Sequence, residues 1–163
     1  MSEKPPENAR FSHLDDEGRA QMVDVSEKAI TRRVAEASCL VRLSPETAGR
    51  LRELPKGDAV VVAQLAGIQA CKKTSEWIPL AHPLPLDKVD VEIDLEDDGA
   101  RIRSRVVTVA RTGAEMEALV ACSAASLALY DMVKAVEREA VVTDLRLEHK
   151  SGGRSGDYRR SDS

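Results

Sequence analysis

The chain has 163 residues, a formal net charge of −4, 42% apolar residues and only 2% aromatics. That length and apolar content suit one globular domain whose core must be aliphatic. So few aromatics (Phe11, Trp77, Tyr130 and Tyr158) argue against folds that stack bases on rings, and the acidic balance gives no global field for nucleic acid, so no nucleic-acid partner is expected. Cys39, Cys71 and Cys122 are isolated and odd in number, with no zinc-binding spacing; they read as buried, reduced thiols and no metal is expected. There is no secretory h-region and no apolar run read as long enough to span a bilayer, so a cytoplasmic protein without a membrane partner is expected.

Residues 1–20 are polar, carry Pro5-Pro6 and lack periodicity, which reads as a flexible arm. His13 within it reads as a surface residue rather than a ligand. Residues 21–150 read as a single α+β domain, and 151–163 as a flexible, Gly-rich basic tail. Met22 to Ser26 could form a short strand. Ile30 to Leu43 reads as a longer one, with Ala35, Ala37, Cys39, Val41 and Leu43 on one face and Arg33 in the same parity at the polar end. Ser44-Pro45-Glu46 is a helix start, with an N-cap serine, proline at the first position and an acid in the first turn. That helix is expected to reach about Glu53, where Leu54-Pro55-Lys56-Gly57-Asp58 breaks it. Asp58 then caps a helix over Ala59–Lys73. Thr74 to Leu86 holds Pro79, Pro83 and Pro85 and reads as a stiff apolar loop presenting His82.

The next segment alternates strictly. Folding it about Asp97-Asp98 sets Asp94 opposite Arg101, Glu92 opposite Arg103, Asp90 opposite Arg105, Ile93 opposite Ile102 and Val89 opposite Val106. One face is charged and the other apolar, as in a half-buried antiparallel hairpin. A long helix is predicted from about Ala114 to Arg138, then a last strand from Val141 to His149, with Val141, Thr143, Leu145 and Leu147 on one face. The order suits an α+β, ferredoxin-like sandwich: a four-stranded antiparallel sheet with helices packed on one face.

Several side chains could carry chemistry, and each has a plain structural alternative. Lys56 beside Gly57 is either a solvated loop cation or a point charge for phosphate near a helix N-terminus. Lys72 and Lys73 sit where cations favour a helix C-terminus anyway. His82, in a rigid loop, can donate to phosphate or shuttle a proton. Asp131 and Lys134, at i and i+3, form either a surface ion pair or an acid/base pair. Arg33 is either a salt-bridged rim residue or a ligand contact. Lys150-Ser151-Gly152-Gly153-Arg154-Ser155-Gly156 has a phosphate loop's composition but not the Walker spacing.

Taken together, the stretches MVDVSEKAITRR, PKGD, LAGIQACKKT, IPLAHPL, RTGAEMEAL, ALYDMVKAV and KSGGRSGD, in this order over about residues 20–157, resemble the cyclic pyranopterin monophosphate synthase family of molybdenum cofactor biosynthesis. The resemblance implies a ferredoxin-like lyase that forms a homo-hexamer, a trimer of dimers, with active sites at subunit interfaces. It implies a small-molecule substrate, a cyclic GTP derivative, that loses pyrophosphate without a redox cofactor or obligatory metal. It also implies Asp131 as catalytic acid/base with Lys134 beside it, and Lys56 as a further catalytic lysine. Leu80, Ala81, His82, Met116, Glu117 and Lys72 would bind substrate, with Arg33, Glu115 and Lys150 completing the pocket. Three positions depart from the common pattern: Ala81 stands where Cys is frequent, and Arg154 and Arg111 where Lys is common. A non-catalytic ligand-binding module on the same fold is the alternative. Glu117 and Asp131 are 14 residues apart, roughly 21 Å along a helix, so one compact pocket would not use both from one chain.

Overall fold

A computed structural model describes residues 13–15 and 17–161. Its elements are β1 (Thr31–Arg42), α1 (Pro45–Gly49), α2 (Ala59–Cys71), α3 (Thr74–Trp77), β2 (Lys88–Glu96), β3 (Gly99–Ala110), α4 (Glu115–Val133), β4 (Val141–Ser151) and β5 (Tyr158–Arg159). The sheet is antiparallel in the order β2-β3-β1-β4-β5. Its first four members have the ferredoxin-like arrangement, and the expected α+β sandwich holds. The fifth strand adds to the expected four: past Ser151 the chain turns back and pairs Tyr158 with Lys150 and Arg159 with His149.

The β2–β3 register reproduces every predicted pairing, from Val89 opposite Val106 to Asp94 opposite Arg101. Within the hairpin the ion pairs run diagonally instead of straight across, and Arg105 turns to its directly opposed neighbour on the other flanking strand. Arg101 pairs with Glu96 at 2.7 Å, Arg103 with Asp94, and Arg105 reaches over to Glu36 on β1 at 2.9 Å. Long side chains on a twisted sheet reach diagonal neighbours as readily as direct ones.

The opposite face of the sheet holds the core. Ala35, Ala37, Cys39 and Val41 of β1 join Ala100, Ile102 and Val106 of β3 beneath Ala118, Ala121, Cys122, Ala125, Leu129 and Val133 of α4. The buried Ser104 hydroxyl donates to the Ala118 carbonyl at 2.7 Å, so its polar atom is satisfied. Asp58 caps α2 by accepting from Val60 N at 2.9 Å and Val61 N at 3.1 Å, as the sequence indicates. The two long helices pack through small residues. A Cβ placed on Gly67 of α2 would lie 2.8 Å from the Ala121 carbonyl oxygen and 3.2 Å from Ala125 Cβ.

Several local expectations are corrected. Met22 to Ser26 is no strand: Asp24 Oδ1 accepts from Ser26 N at 2.8 Å, and Lys28 N donates to Val25 O at 3.0 Å, closing a turn. The stretch expected to be a loop from Thr74 begins with the single helical turn α3, because Pro79 restricts its own backbone and that of Ile78 but leaves residues 74–77 free to coil. The helix after Ser44 stops at Gly49. Helix α4 stops at Val133, not Arg138, and the Glu137 carboxylate instead accepts from Ser44 N and Ser44 Oγ, each at 2.8 Å. The single face predicted for β4 is broken by two register shifts, and Asp144, at φ 54°, lies within the one nearer the strand start. Thr143 consequently pairs with Leu40 while Leu147 pairs with Ala37 on the core side, because each extra residue inverts the alternation.

Within the described part of the expected N-terminal arm, Leu14 bridges Ala20 and Arg19 Nε pairs with Asp15 Oδ2 at 2.7 Å. Residues 1–12 and 16 of that arm, and residues 162–163 of the expected tail, lie outside the described residues. By length and composition α4 could cross a membrane, contrary to the expectation that no apolar run is long enough, but 56% of its most apolar window is buried inside this fold. It is the central helix of the core.

The helix contact at Gly67 is testable. Gly67→Val places branched carbons against the α4 backbone, which cannot move as a flexible side chain could. A loss of about 2 kcal/mol or more in unfolding free energy is expected, outweighing the roughly 0.5 kcal/mol gained in helix propensity. Denaturant titration measures it.

Candidate active site

The predicted site residues separate into two groups, one at each end of α4. At the N-terminal end, the loop after α3 carries Leu80, Ala81 and His82 against Glu115, Met116 and Glu117 from the first turn of α4. They line a cavity of about 550 Å³ together with Val23, Val25, Lys28 and His13. A second cavity of about 570 Å³ shares Lys28, Thr112, Gly113 and Glu115 with the first and adds Arg33, Arg111 and Arg154. Larger still, at about 650 Å³, is a concavity on the open face of the sheet, lined by Glu36, Arg105 and the hairpin charges. Those charges pair with one another, and none belongs to the predicted site.

Glu117 is the most unusual ionisable group of the first cavity. It is 4% exposed. Burial pushes its carboxyl up to about 7, and the neighbouring Glu115 charge pushes in the same direction. A carboxyl in that state can give or take a proton near neutral pH. Glu115 lies 3.7 Å from Lys150 Nζ, and Lys150 also donates to the Ser155 hydroxyl of the tail. Arg33 is fixed by its own bonds: Nε donates to Ala110 O at 3.1 Å and one terminal nitrogen to Arg111 O at 2.9 Å. The tail passes close over this arginine. Gly152 and Gly153 have φ of +91° and +78°, and a Cβ on Gly152 would fall 2.4 Å from the Arg32 carbonyl oxygen. Glycine is therefore required at position 152 by both backbone conformation and space. Lys72 caps the C-terminus of α2 at the same end, where its charge and that of Glu117 both act on Cys71, but it lines neither cavity.

The other group sits at the C-terminal end of α4. Lys134 Nζ is 2.5 Å from Asp131 Oδ1, and Lys56 Nζ donates to the Asp131 carbonyl at 3.2 Å. Both partners of the ion pair are more than half exposed. The Lys134 ammonium, through its hydrogen bond, holds the Asp131 carboxyl below the usual carboxylate range, and Lys134 is raised in return. The pair keeps an ionised carboxylate beside two cations on an open surface. The helix between the groups is continuous from Glu115 to Val133, so Glu117 and Asp131 stand roughly 21 Å apart along its axis.

All three cysteines are buried and free, and Cys71 is pushed up to about 12 by burial, as inert packed thiols should be. Among the described residues no group of three or more His, Cys, Asp or Glu side chains is placed to hold a metal ion. Lys28, His13, Thr112 and Gly113 line the cavities but are not singled out as site residues by the sequence. They lie in turns and loops whose proximity no local periodicity encodes, and His13 is exposed, as expected of a surface residue, at the rim of the wall.

The model of the MoaC family matches residues 22–153, which takes in both ends of α4 and the start of the tail. The chain belongs to the MoaC family. Similar MoaC-family relatives include one from Streptomyces griseus, 52% identical over 154 residues and covering 93% of this chain and 87% of the relative. Others come from Thermomicrobium roseum, 51% identical over 158 residues with 94% and 95% covered, and Nostoc sp., 51% identical over 158 residues with 94% of each covered. Each of the three is named cyclic pyranopterin monophosphate synthase.

The buried Glu117 gives a test in this MoaC-family chain that needs no substrate. Its carboxyl is raised in the folded state above its unfolded value near 4.5. The folded protein therefore holds the proton more tightly, and the stability associated with it is full below pH 4.5 and lost as pH rises towards 7. Glu117→Gln should be more stable than wild type at pH 8, by on the order of 2 kcal/mol, with the difference closing by pH 4. Equal stability of the two proteins across that range, by denaturant titration, would contradict the assignment of a raised carboxyl.

Proposed function

We propose that the protein is a cyclic pyranopterin monophosphate synthase. It converts (8S)-3′,8-cyclo-7,8-dihydroguanosine 5′-triphosphate to cyclic pyranopterin monophosphate, with release of pyrophosphate, in molybdenum cofactor biosynthesis. The observation that carries this reading is the naming of relatives about half identical over more than 90% of this chain.

The chemistry asks for what the two groups supply. Rebuilding a ring system requires several proton transfers, and closing a cyclic phosphate requires neutralisation of a triphosphate as pyrophosphate departs. Asp131, held ionised by Lys134, serves as a proton acceptor. Glu117, its carboxyl pushed up to about 7 by burial, supplies proton exchange near neutral pH, and His82 lines the same cavity as a further hydrogen-bonding group. Lys56, Lys134 and Lys150 provide positive charge for the phosphates, and Lys72 and Arg33 add to it. Leu80, Ala81 and Met116 form the wall against which the ring system rests. The reaction proceeds in the cytoplasm.

The two groups act on one substrate only if they come from different chains. A homo-hexamer arranged as a trimer of dimers, with each site built at a subunit interface, meets that requirement. In support, the outer faces of α2 and α4 expose Leu65 at 63% and Leu127 at 59%, apolar area suited to contact between copies. The non-catalytic alternative gives no account of an ionised Asp131–Lys134 pair beside Lys56.

Purified protein supplied with the cyclo-dihydro-GTP substrate should release pyrophosphate and form the pyranopterin. Lys56→Ala and Asp131→Asn should each lose about 10²-fold or more in turnover with fold and assembly unchanged. No pyrophosphate from folded wild type would defeat the reading. Shared sites predict a further result. Asp131→Asn and Glu117→Gln subunits, each inactive alone, should recover about a quarter of wild-type activity when refolded together, because random mixing leaves that share of interfaces with both intact ends. Mixed oligomers with no recovery would refute the two-chain site.

A further inference from the structure

Lys28 stands out among the groups that the catalytic proposal does not use. It is the one lysine or arginine lining the cavity of His82 and Glu117 among the described residues, and it also lines the neighbouring basic cavity. Its backbone is set rather than loose: Lys28 N donates to Val25 O at 3.0 Å in the turn capped by Asp24, three residues before β1 begins. The side chain is half-buried, and among the described residues no ion pair occupies its ammonium. Of the other basic groups nearby, Arg33 is engaged with two backbone carbonyls and Lys150 with Glu115 and Ser155, while Arg111 and Arg154 line only the second cavity.

We propose that Lys28 is a substrate-positioning residue, binding a phosphate of a phosphorylated heterocycle whose ring lies in the His82 cavity and whose phosphate chain enters the basic one. The physical case is one of charge placement. At the junction of the cavities the charged wall is otherwise Glu115, which repels a polyphosphate. A lysine half-buried at that point interacts with an anion more strongly than one in bulk water. A compact lysine head on a flexible stem serves as a point charge for phosphate. Lys28 touches no reacting bond in this arrangement. It fixes where the phosphate chain bends out of the ring cavity.

The inference rests on the synthase reading, and steady-state kinetics with the cyclo-dihydro-GTP substrate separate the two. Lys28→Ala should raise KM about tenfold while kcat stays within about threefold, and Lys28→Arg should restore most of the loss. The KM of Lys28→Ala should also depend less on salt than that of wild type. Thermal midpoint and oligomer size should match wild type in both variants. An active wild type whose KM is unmoved by Lys28→Ala overturns the role of Lys28 and leaves the synthase reading standing. Loss in kcat and thermal midpoint together, without rescue by arginine, overturns it in favour of a structural lysine. No turnover by wild type defeats the synthase reading and this inference with it.

Discussion

The close seating of α2 against α4 sets the terms for everything else in this protein. Gly67 meets the Ala121 carbonyl and Ala125 so closely that a methyl group would not fit without backbone movement. Beneath them the sheet offers mainly alanine, cysteine and valine. Small residues on three surfaces let the layers approach closely, and a close-packed interior transmits strain rather than absorbing it. The cost is chemical. The inward face of α4 is packed over its middle turns, no charged residue falls there, and its acids sit only at its ends, Glu115 and Glu117 in the first turn and Asp131 in the last.

Those ends have opposite environments and so opposite electrostatics. Glu117 is enclosed by loop and helix, and burial pushes its carboxyl up to about 7. Asp131 is open to solvent, and the Lys134 hydrogen bond holds it low. One helix thus presents a carboxyl that exchanges protons near neutral pH and another that stays ionised. Two acids pushed apart in this way take different roles in proton transfer. Packing produces one shift and pairing the other.

Legibility in the sequence tracks the physics of each element. The β2–β3 register is readable residue by residue, because strict alternation and opposed charges admit one antiparallel pairing. Helix α4 is legible from its apolar spacing. Its end is not, because Glu137 is diverted to Ser44, a partner 93 residues away in the chain. β4 misleads for a similar reason: its residues alternate, but two bulges invert the faces, and bulges leave little mark on composition. In the site, chemically distinctive residues such as His82, Asp131 and Lys134 can be singled out locally. Met116 comes only with the family resemblance. Lys28 escapes selection because its significance depends on a turn that folds beside a loop more than 50 residues further along.

The tail carries the same logic to the basic cavity. Gly152 and Gly153 adopt left-handed backbone over Arg32 and Arg33, and Lys150 ties Glu115 on α4 to Ser155 beyond the glycines. β5 then pairs with β4, holding the returning chain beside Lys150. Arg33 spends two of its five N–H donors on the carbonyls of Ala110 and Arg111, so it holds the end of β3 as much as it supplies charge. The tail's glycines thus have a steric role independent of any phosphate loop, and its composition is a poor guide to it. Arg33 keeps its positive charge, but cations not already committed to the backbone are better placed to turn towards an anion in this cavity. That condition turns attention from Arg33 to Lys28, Arg111 and Arg154, and of these Lys28 alone also lines the cavity of His82.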